Sequence, residues 1–279
     1  MNIQEAYLLV KRRLATLYDT REAENIADML IEFCTEITRT ERIITKNKLL
    51  SIDHELLLMK SIDRLINHEP IQYIIEKSWF YRHEFKVNKN VLIPRPETEE
   101  LIQHIIKNNS SENPSIIDIG TGSGCIAISL KKDITCQVTA IDISEQALSI
   151  ADYNANKLEA DITFKSINFL DETKWNSLGY YDIIVSNPPY IKNKEQSEMH
   201  KNVLEYEPHL ALFVEDDDPL LFYRKIAMFG KSNLNPNGYI YVEINDSLGE
   251  ETTNLFQEYQ YNTAIYKDLQ GKERIIVAK

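Results

Sequence analysis

The sequence predicts an α/β protein, with a doubly wound, largely parallel sheet closed by a C-terminal antiparallel hairpin and preceded by a small N-terminal helical bundle. Three observations predict it. From Ser115 onward, short apolar runs alternate with helix-like segments. The last two β-like runs are joined by too few residues for a crossover helix. The first 119 residues contain no glycine and carry apolar residues at helical spacing.

Residues 1–72 read as one helical domain. Ala27, Leu30, Ile31 and Cys34 share one helical face, and Leu58, Ile62, Leu65 and Ile66 share another. Asp53 precedes a run of good helix formers and is the expected N-cap. Without glycine, the turns here are expected to use Asn, Asp and Ser. The composition changes after Pro70: Tyr73 to Ile75, Trp79 to Phe85 and Val87 to Ile93 are aromatic and β-branched, so residues 73–94 are expected to form a β-hairpin linker. Pro94 and Pro96 stop any strand. Residues 95–279 then form the second domain, opening with a helix over Glu97 to Ile106 and a polar loop, Asn108 to Pro114. Strands are expected at 116–119, 137–142, 162–167, 182–186 and 238–244, with helices at 126–132, 144–158, 220–231 and 250–259. Uninterrupted apolar runs such as Ile183-Ile184-Val185 suit parallel strands buried on both faces. The runs 263–268 and 274–278 should pair antiparallel.

Composition narrows the class. With 43% hydrophobic and 27% charged residues, the chain is neither disordered nor fibrous. No apolar run approaches the roughly 18–20 residues needed to cross a bilayer. The opening MNIQEAYLLVKRRL carries Glu5 and no apolar h-region, so no secretory signal is expected. Three cysteines without CxxC spacing argue against a disulfide framework or a zinc site, and a cytoplasmic location is expected. The formal net charge is −12. Residues 81–279 hold 20 basic and 30 acidic side chains, a poor match for a phosphate backbone. No direct nucleic-acid or membrane contact is therefore expected. The six His lack ligand spacing, Glu215-Asp-Asp-Asp218 reads as a solvated loop, and no metal is expected.

Two segments carry chemistry. The first, Asp118-Ile-Gly120-Thr-Gly122-Ser-Gly124, lies between a strand and a helix and holds three of the eight glycines. Small residues let backbone approach a ligand, and the following helix offers free N–H groups. Cys125 breaks the dinucleotide pattern GxGxxG, and no GK[ST] follows for a P-loop. Asp142 ends the next strand, where its carboxylate can accept from both hydroxyls of a ribose. NAD enzymes and methyltransferases share that role.

The second segment is Ser186-Asn187-Pro188-Pro189-Tyr190, directly after a strand. Strand ends are where open α/β sheets bind ligands. Two prolines fix φ and remove two donors, and Asn187 is pushed to an extended conformation. The corner suits a planar –NH2: Asn187 Oδ1 and the Pro188 carbonyl can accept its two hydrogens, and Tyr190 can pack on its flat face.

DIGTGSG and SNPPYI together resemble S-adenosylmethionine-dependent methyltransferases that act on a planar nitrogen. Pro70-Ile-Gln-Tyr-Ile74, Val91-Leu-Ile-Pro-Arg-Pro-Glu-Thr-Glu99, Tyr206-Glu-Pro208, Leu210-Ala-Leu212 and Asp268-Leu-Gln-Gly271 with Arg274 are similar to the protein-glutamine methyltransferase family over the whole chain. The resemblance implies a Rossmann-like class I methyltransferase sheet. It implies S-adenosylmethionine, leaving as S-adenosylhomocysteine, held by Gly120, Thr121, Gly122, Ser123, Gly124, Asp142, Phe169 and Asn187, with Phe169 over the adenine. It implies Asn187, Pro188, Pro189 and Tyr190 around a substrate glutamine, with Asn187, Pro188 and Tyr190 catalytic. The implied partners are class I peptide chain release factors, modified at Gly-Gly-Gln and held in part by residues 1–72. The resemblance also implies that the segment Pro94 to Glu99 helps shape the site floor, where Arg95 and Glu97 can equally form a structural ion pair. The chain departs from the family's usual residues at Glu76-Lys77, Arg82, Asn168 and Asn245. A ribosomal-protein glutamine, a nucleic-acid adenine amino group and a non-catalytic cofactor-binding module are the rival readings.

Overall fold

The computed structural model describes residues 1–279 apart from the side chain of Glu198. Contacts divide the chain into two units, one of residues 1–76 with 200–206 and one of 77–199 with 207–279.

The first unit is built from α1 (Ile3–Leu14), α2 (Thr20–Thr35), α3 (Arg39–Ile44), α4 (Ile52–Ile66) and the single turn α5 (Ile71–Ile74). Its core joins Ile3, Val10 and Leu14 to Leu30, Ile31, Leu58, Ile62 and Leu65. Reciprocal capping boxes start α1 (Asn2 with Glu5) and α3 (Thr38 with Glu41). The cap of α4 is Ser51, which accepts from His54 N at 3.1 Å, rather than Asp53. The first-turn Asp53 instead sets its charge at the positive end of the helix. The turns differ from expectation too: Glu36 and His68 take the left-handed conformation at φ 58° and 67°. Tyr73 to Ile75, expected as β, are helical or end the helix, because Pro70 starts a turn that buries Ile71 and Ile74 in the helical core.

In the second unit, β1 (Lys77–Phe80) and β2 (His83–Lys86) form an antiparallel hairpin. Its turn residues, Tyr81 and Arg82, both have positive φ, 44° and 69°, where glycine is the usual choice. Phe80, Tyr81 and Phe85 pack into the core of this unit, so the hairpin is part of it. The third apolar run, 87–93, is irregular: Asn88 Oδ1 accepts from Asn90 N in a tight turn. Pro96 then opens α6 (Pro96–Asn108). β3 (Ser115–Ile119), α7 (Cys125–Asp133), β4 (Gln137–Asp142), α8 (Glu145–Lys157), β5 (Thr163–Ser166) and β6 (Tyr181–Ser186) alternate as expected. A two-residue pair, β7 (Ile191–Lys192) and β8 (Phe213–Val214), brackets α9 (Lys201–Tyr206), the segment that groups with the first unit. α10 (Leu221–Asn233), β9 (Leu234–Glu243), α11 (Gly249–Glu258), β10 (Thr263–Lys267) and β11 (Glu273–Ala278) complete the chain.

The seven-stranded sheet runs β10-β11-β9-β6-β3-β4-β5. Five strands are parallel; β11 lies antiparallel between β9 and β10, the expected C-terminal hairpin. Successive residues serve opposite faces, as the period of two requires. Ile116, Val138, Ile183 and Tyr241 meet α6 and α7 on one face, whereas Ile117, Ile141, Ile184 and Ile240 meet α10 and α11 on the other. The order reverses at β3, whose chain successor β4 lies on one side and β6 on the other. Ser186 Oγ, fully buried, donates to Ile119 O at 2.7 Å and ties the carboxyl ends of β6 and β3 together there.

Gly124 is the helix-side anchor of this junction. Its φ is +81°, and an added Cβ would come within 2.9 Å of Ile128 Cδ1 and 3.2 Å of Ala151 Cβ. Gly124→Ala is expected to lower unfolding free energy by roughly 2 kcal/mol from the combined backbone strain and crowding, measured by urea denaturation.

Candidate active site

An open cavity of about 1220 Å³, its mouth included, sits at the carboxyl ends of β3, β4 and β6. This is the switch point where doubly wound sheets bind ligands. Gly120 to Ser123, Asp142, Phe169 and Asn187 to Pro189 all line it. Residues separated by up to 69 positions are thus brought to one surface.

The glycine loop is held from beneath: Gly120 N and Thr121 N donate to Ile141 O at 2.9 and 3.0 Å. Both Gly120 (φ +75°) and Gly122 (φ +55°) have open space where a Cβ would project. A side chain there would intrude into the cavity, so the glycines leave room for a ligand against bare backbone. Asp142 Oδ2 accepts from Gly122 N, and Oδ1 accepts from Ser144 N, both at 2.9 Å. These bonds aim the carboxylate and leave lone pairs for hydroxyls. Ser123 Oγ is buried without a protein hydrogen-bond partner among the described residues, as is one oxygen of Asp118 beneath the loop. Orphaned buried polar atoms beside a cavity suit a polar ligand. Phe169, at the wall, stacks on Trp175 with centroids 5.4 Å apart and is fixed by Trp175 Nε1 donating to its carbonyl at 2.9 Å. Loop, carboxylate and aromatic together fit a nucleoside-bearing cofactor.

Two expected site residues lie elsewhere. Gly124 caps α7 and does not line the cavity. Tyr190 is also absent from the lining: its ring packs against the core on the α10 face, and its hydroxyl donates to Glu243 Oε1 at 3.4 Å. Of the two expectations for Arg95 and Glu97, the mutual ion pair does not form, whereas Arg95 lines the cavity with Pro94 and Thr98. Arg95 pairs with buried Glu207 at 2.5 Å, which also accepts from Ile93 N, while Glu97 accepts from Gln270 Nε2 at 3.3 Å.

Glu243 was not legible as a site residue, and Thr98, within the segment expected at the site floor, was not legible as its partner. Thr98 lines the cavity, accepts from Asn187 Nδ2 at 3.2 Å and donates to Glu243 Oε2 at 2.7 Å. The available signal was a carboxylate closing the apolar run of Tyr239 to Val242. Burial pushes Glu243 up to about 7, opposed by the Thr98 hydrogen bond and Arg274. Burial likewise pushes Asp118 up to about 7, opposed by the Thr121 hydroxyl, and raises Asp142 against its backbone donors. Cys125, at the cavity wall, is pushed up to about 12 by burial, so it stays a thiol. No group of three or more metal-ligating side chains occurs among the described residues, and no helix among them is long and apolar enough to cross a membrane.

Comparisons with known proteins identify relatives of the chain. Residues 96–209 match the family model Methyltransferase small domain, and residues 5–75 match PrmC N-terminal domain. A release factor glutamine methyltransferase of Flavobacterium psychrophilum is 48% identical over 271 residues, 94% of each chain. One of Bacteroides thetaiotaomicron is 41% identical over 280 residues, covering 100% of this chain and 99% of its own. A methyltransferase crystal structure from Pyrococcus furiosus superposes with a TM-score of 0.50 at 16% identity, covering 70% of this chain and 87% of that one, and so shares the fold.

A raised carboxyl pKa means the group stabilises the fold below its unfolded value and loses that contribution as pH rises through its folded value. For Glu243 the window is pH 4.5 to about 7. Arg274, Glu97, Tyr190 and Tyr223 face Glu243, and a Glu243→Gln variant removes the titrating carboxyl while their own charges are unaltered. The melting temperature of the parent is expected to fall relative to that of the variant between pH 5 and pH 8, read by differential scanning calorimetry.

Proposed function

The chain belongs to the release factor glutamine methyltransferase family, and from that premise we propose that it transfers a methyl group from S-adenosylmethionine to the side-chain amide nitrogen of the Gly-Gly-Gln glutamine of class I peptide chain release factors. The carrying observation is that the glycine loop and the Asn-Pro-Pro corner line one cavity. Cofactor and acceptor can then meet there without either segment moving.

When bound, S-adenosylmethionine would supply an electrophilic methyl on a positively charged sulfur, which leaves as a neutral thioether while the acceptor nitrogen gives up one proton to solvent water. The residues that would hold it are Gly120 to Ser123 along its backbone-facing edge, Asp142 at the ribose hydroxyls and Phe169 at the base. Asn187 Oδ1 and the Pro188 carbonyl would accept the two hydrogens of the glutamine –NH2. Held at both hydrogens, the nitrogen loses rotational freedom, and orientation of this kind is worth several kcal/mol of barrier. Pro188 and Pro189 keep the corner rigid. Tyr190 acts from behind, through Glu243, rather than as a stacking lid.

The helical unit would hold another part of the substrate protein. Ile44, Leu49, Ile52 and Leu56 stand 65% to 78% exposed on it, an apolar surface of the kind that marks protein contact. The acidity of residues 81–279 favours a basic protein substrate over direct contact with nucleic acid.

With methyl-labelled S-adenosylmethionine, a purified release factor is expected to take up label, and the same factor with its Gly-Gly-Gln glutamine changed to alanine is expected to take up none. Label on both, or on neither when cofactor binding is confirmed, contradicts the reading. Asn187→Ala is expected to lower kcat by about 100-fold or more while cofactor affinity, followed by calorimetry, is retained.

A further inference from the structure

Glu243 ends β9 with its side chain inside the protein, 1% exposed. It does not line the cavity, so it cannot reach a substrate there. Its two oxygens are nevertheless spent on site residues, Oε2 on Thr98 Oγ1 and Oε1 on Tyr190 OH. Arg274, which donates to Ile244 O at 3.2 Å and pairs with Asp268, supplies the facing positive charge.

A hydroxyl has one proton. With that proton given to the Glu243 carboxylate, ionised above about pH 7, Thr98 Oγ1 can only accept from its other neighbour. That neighbour is the side chain of Asn187, with Nδ2 at 3.2 Å. A planar amide with its NH2 committed to one side turns its oxygen to the other. We infer that Glu243 and Thr98 form a positioning pair that sets the orientation of the Asn187 amide, so that its acceptor end, not its donor end, faces the cavity. The inference rests on the reading of function above and deepens it: it assigns what selects an –NH2 acceptor. An Asn187 turned the other way would set NH2 against NH2 and lose the hydrogen bond. A leucine at position 243 offers Thr98 no acceptor, which frees the threonine proton to seek Asn187 Oδ1 and reverses the amide.

Three variants test this, Thr98→Val, Thr98→Ser and Glu243→Leu, each shown to be folded by retained affinity for S-adenosylhomocysteine. In methyl transfer to a release factor at about pH 8, Thr98→Val and Glu243→Leu are expected to lose about tenfold or more in kcat, with the KM for S-adenosylmethionine changed by less than about twofold. Thr98→Ser is expected to keep the rate within about threefold, since it restores the hydroxyl. A fully active Thr98→Val, or a Thr98→Ser as damaged as Thr98→Val, overturns the inference. A readout without substrate separates this from the reading of function. In protein labelled at asparagine side chains, the Asn187 NH2 protons are expected to show nuclear Overhauser contacts to the Thr98 methyl that disappear in Glu243→Leu. Absence of those contacts in the parent, or their persistence in the variant, overturns the inference even where no release factor is methylated.

Discussion

Parallel pairing of β3 with β6 is the constraint on which the rest depends. The two strands are 62 residues apart at their nearest ends, yet Ile119 stands opposite Ser186 in register. The buried Ser186 hydroxyl closes the pair by donating to the Ile119 carbonyl. Beyond that point the backbones diverge, one into Gly120-Thr-Gly122 and the other into Asn187-Pro-Pro189. The crevice at this divergence is the cavity. It follows from strand order alone, because the chain leaves β3 to build one half of the sheet and returns at β6 to build the other.

The fold was legible because its elements are local. Uninterrupted runs such as Ile183-Ile184-Val185 announce strands buried on both faces, and the short link before β11 demands an antiparallel partner. The helical unit was equally plain from its apolar faces. Its details were less so, because capping and turning depend on single geometries: Ser51 rather than Asp53 reaches the first turn of α4, and Glu36 and His68 take left-handed turns for lack of glycine. Around Tyr73 to Ile75 the β-branched composition was outweighed by tertiary burial against the helical core.

The site was legible where its chemistry sits in one segment. The glycine loop, Asp142 and the Asn-Pro-Pro corner declare themselves. Its support was not, because it is assembled across the chain: Thr98 meets Glu243 over 145 residues, and Arg95 meets Glu207 over 112. No spacing rule connects such pairs. Tyr190 shows the converse: its identity suggests a ring over the substrate, but its place after the corner also packs the ring against the core and its hydroxyl on Glu243.

Burying the carboxyls of Asp118 and Glu243 raises both to about 7, a cost to stability concentrated under the two ligand-facing loops. Strain and desolvation gathered at a site, with well-packed apolar faces elsewhere, is the usual division between function and stability. A crystal structure with S-adenosylhomocysteine and a Gly-Gly-Gln peptide tests the shared cavity most directly. The sulfur is expected between the glycine loop and Asn187, with the glutamine amide nitrogen within hydrogen-bond distance of Asn187 Oδ1 and the Pro188 carbonyl. A cofactor bound away from Gly120 to Ser123, or a glutamine that does not reach Asn187, would contradict it.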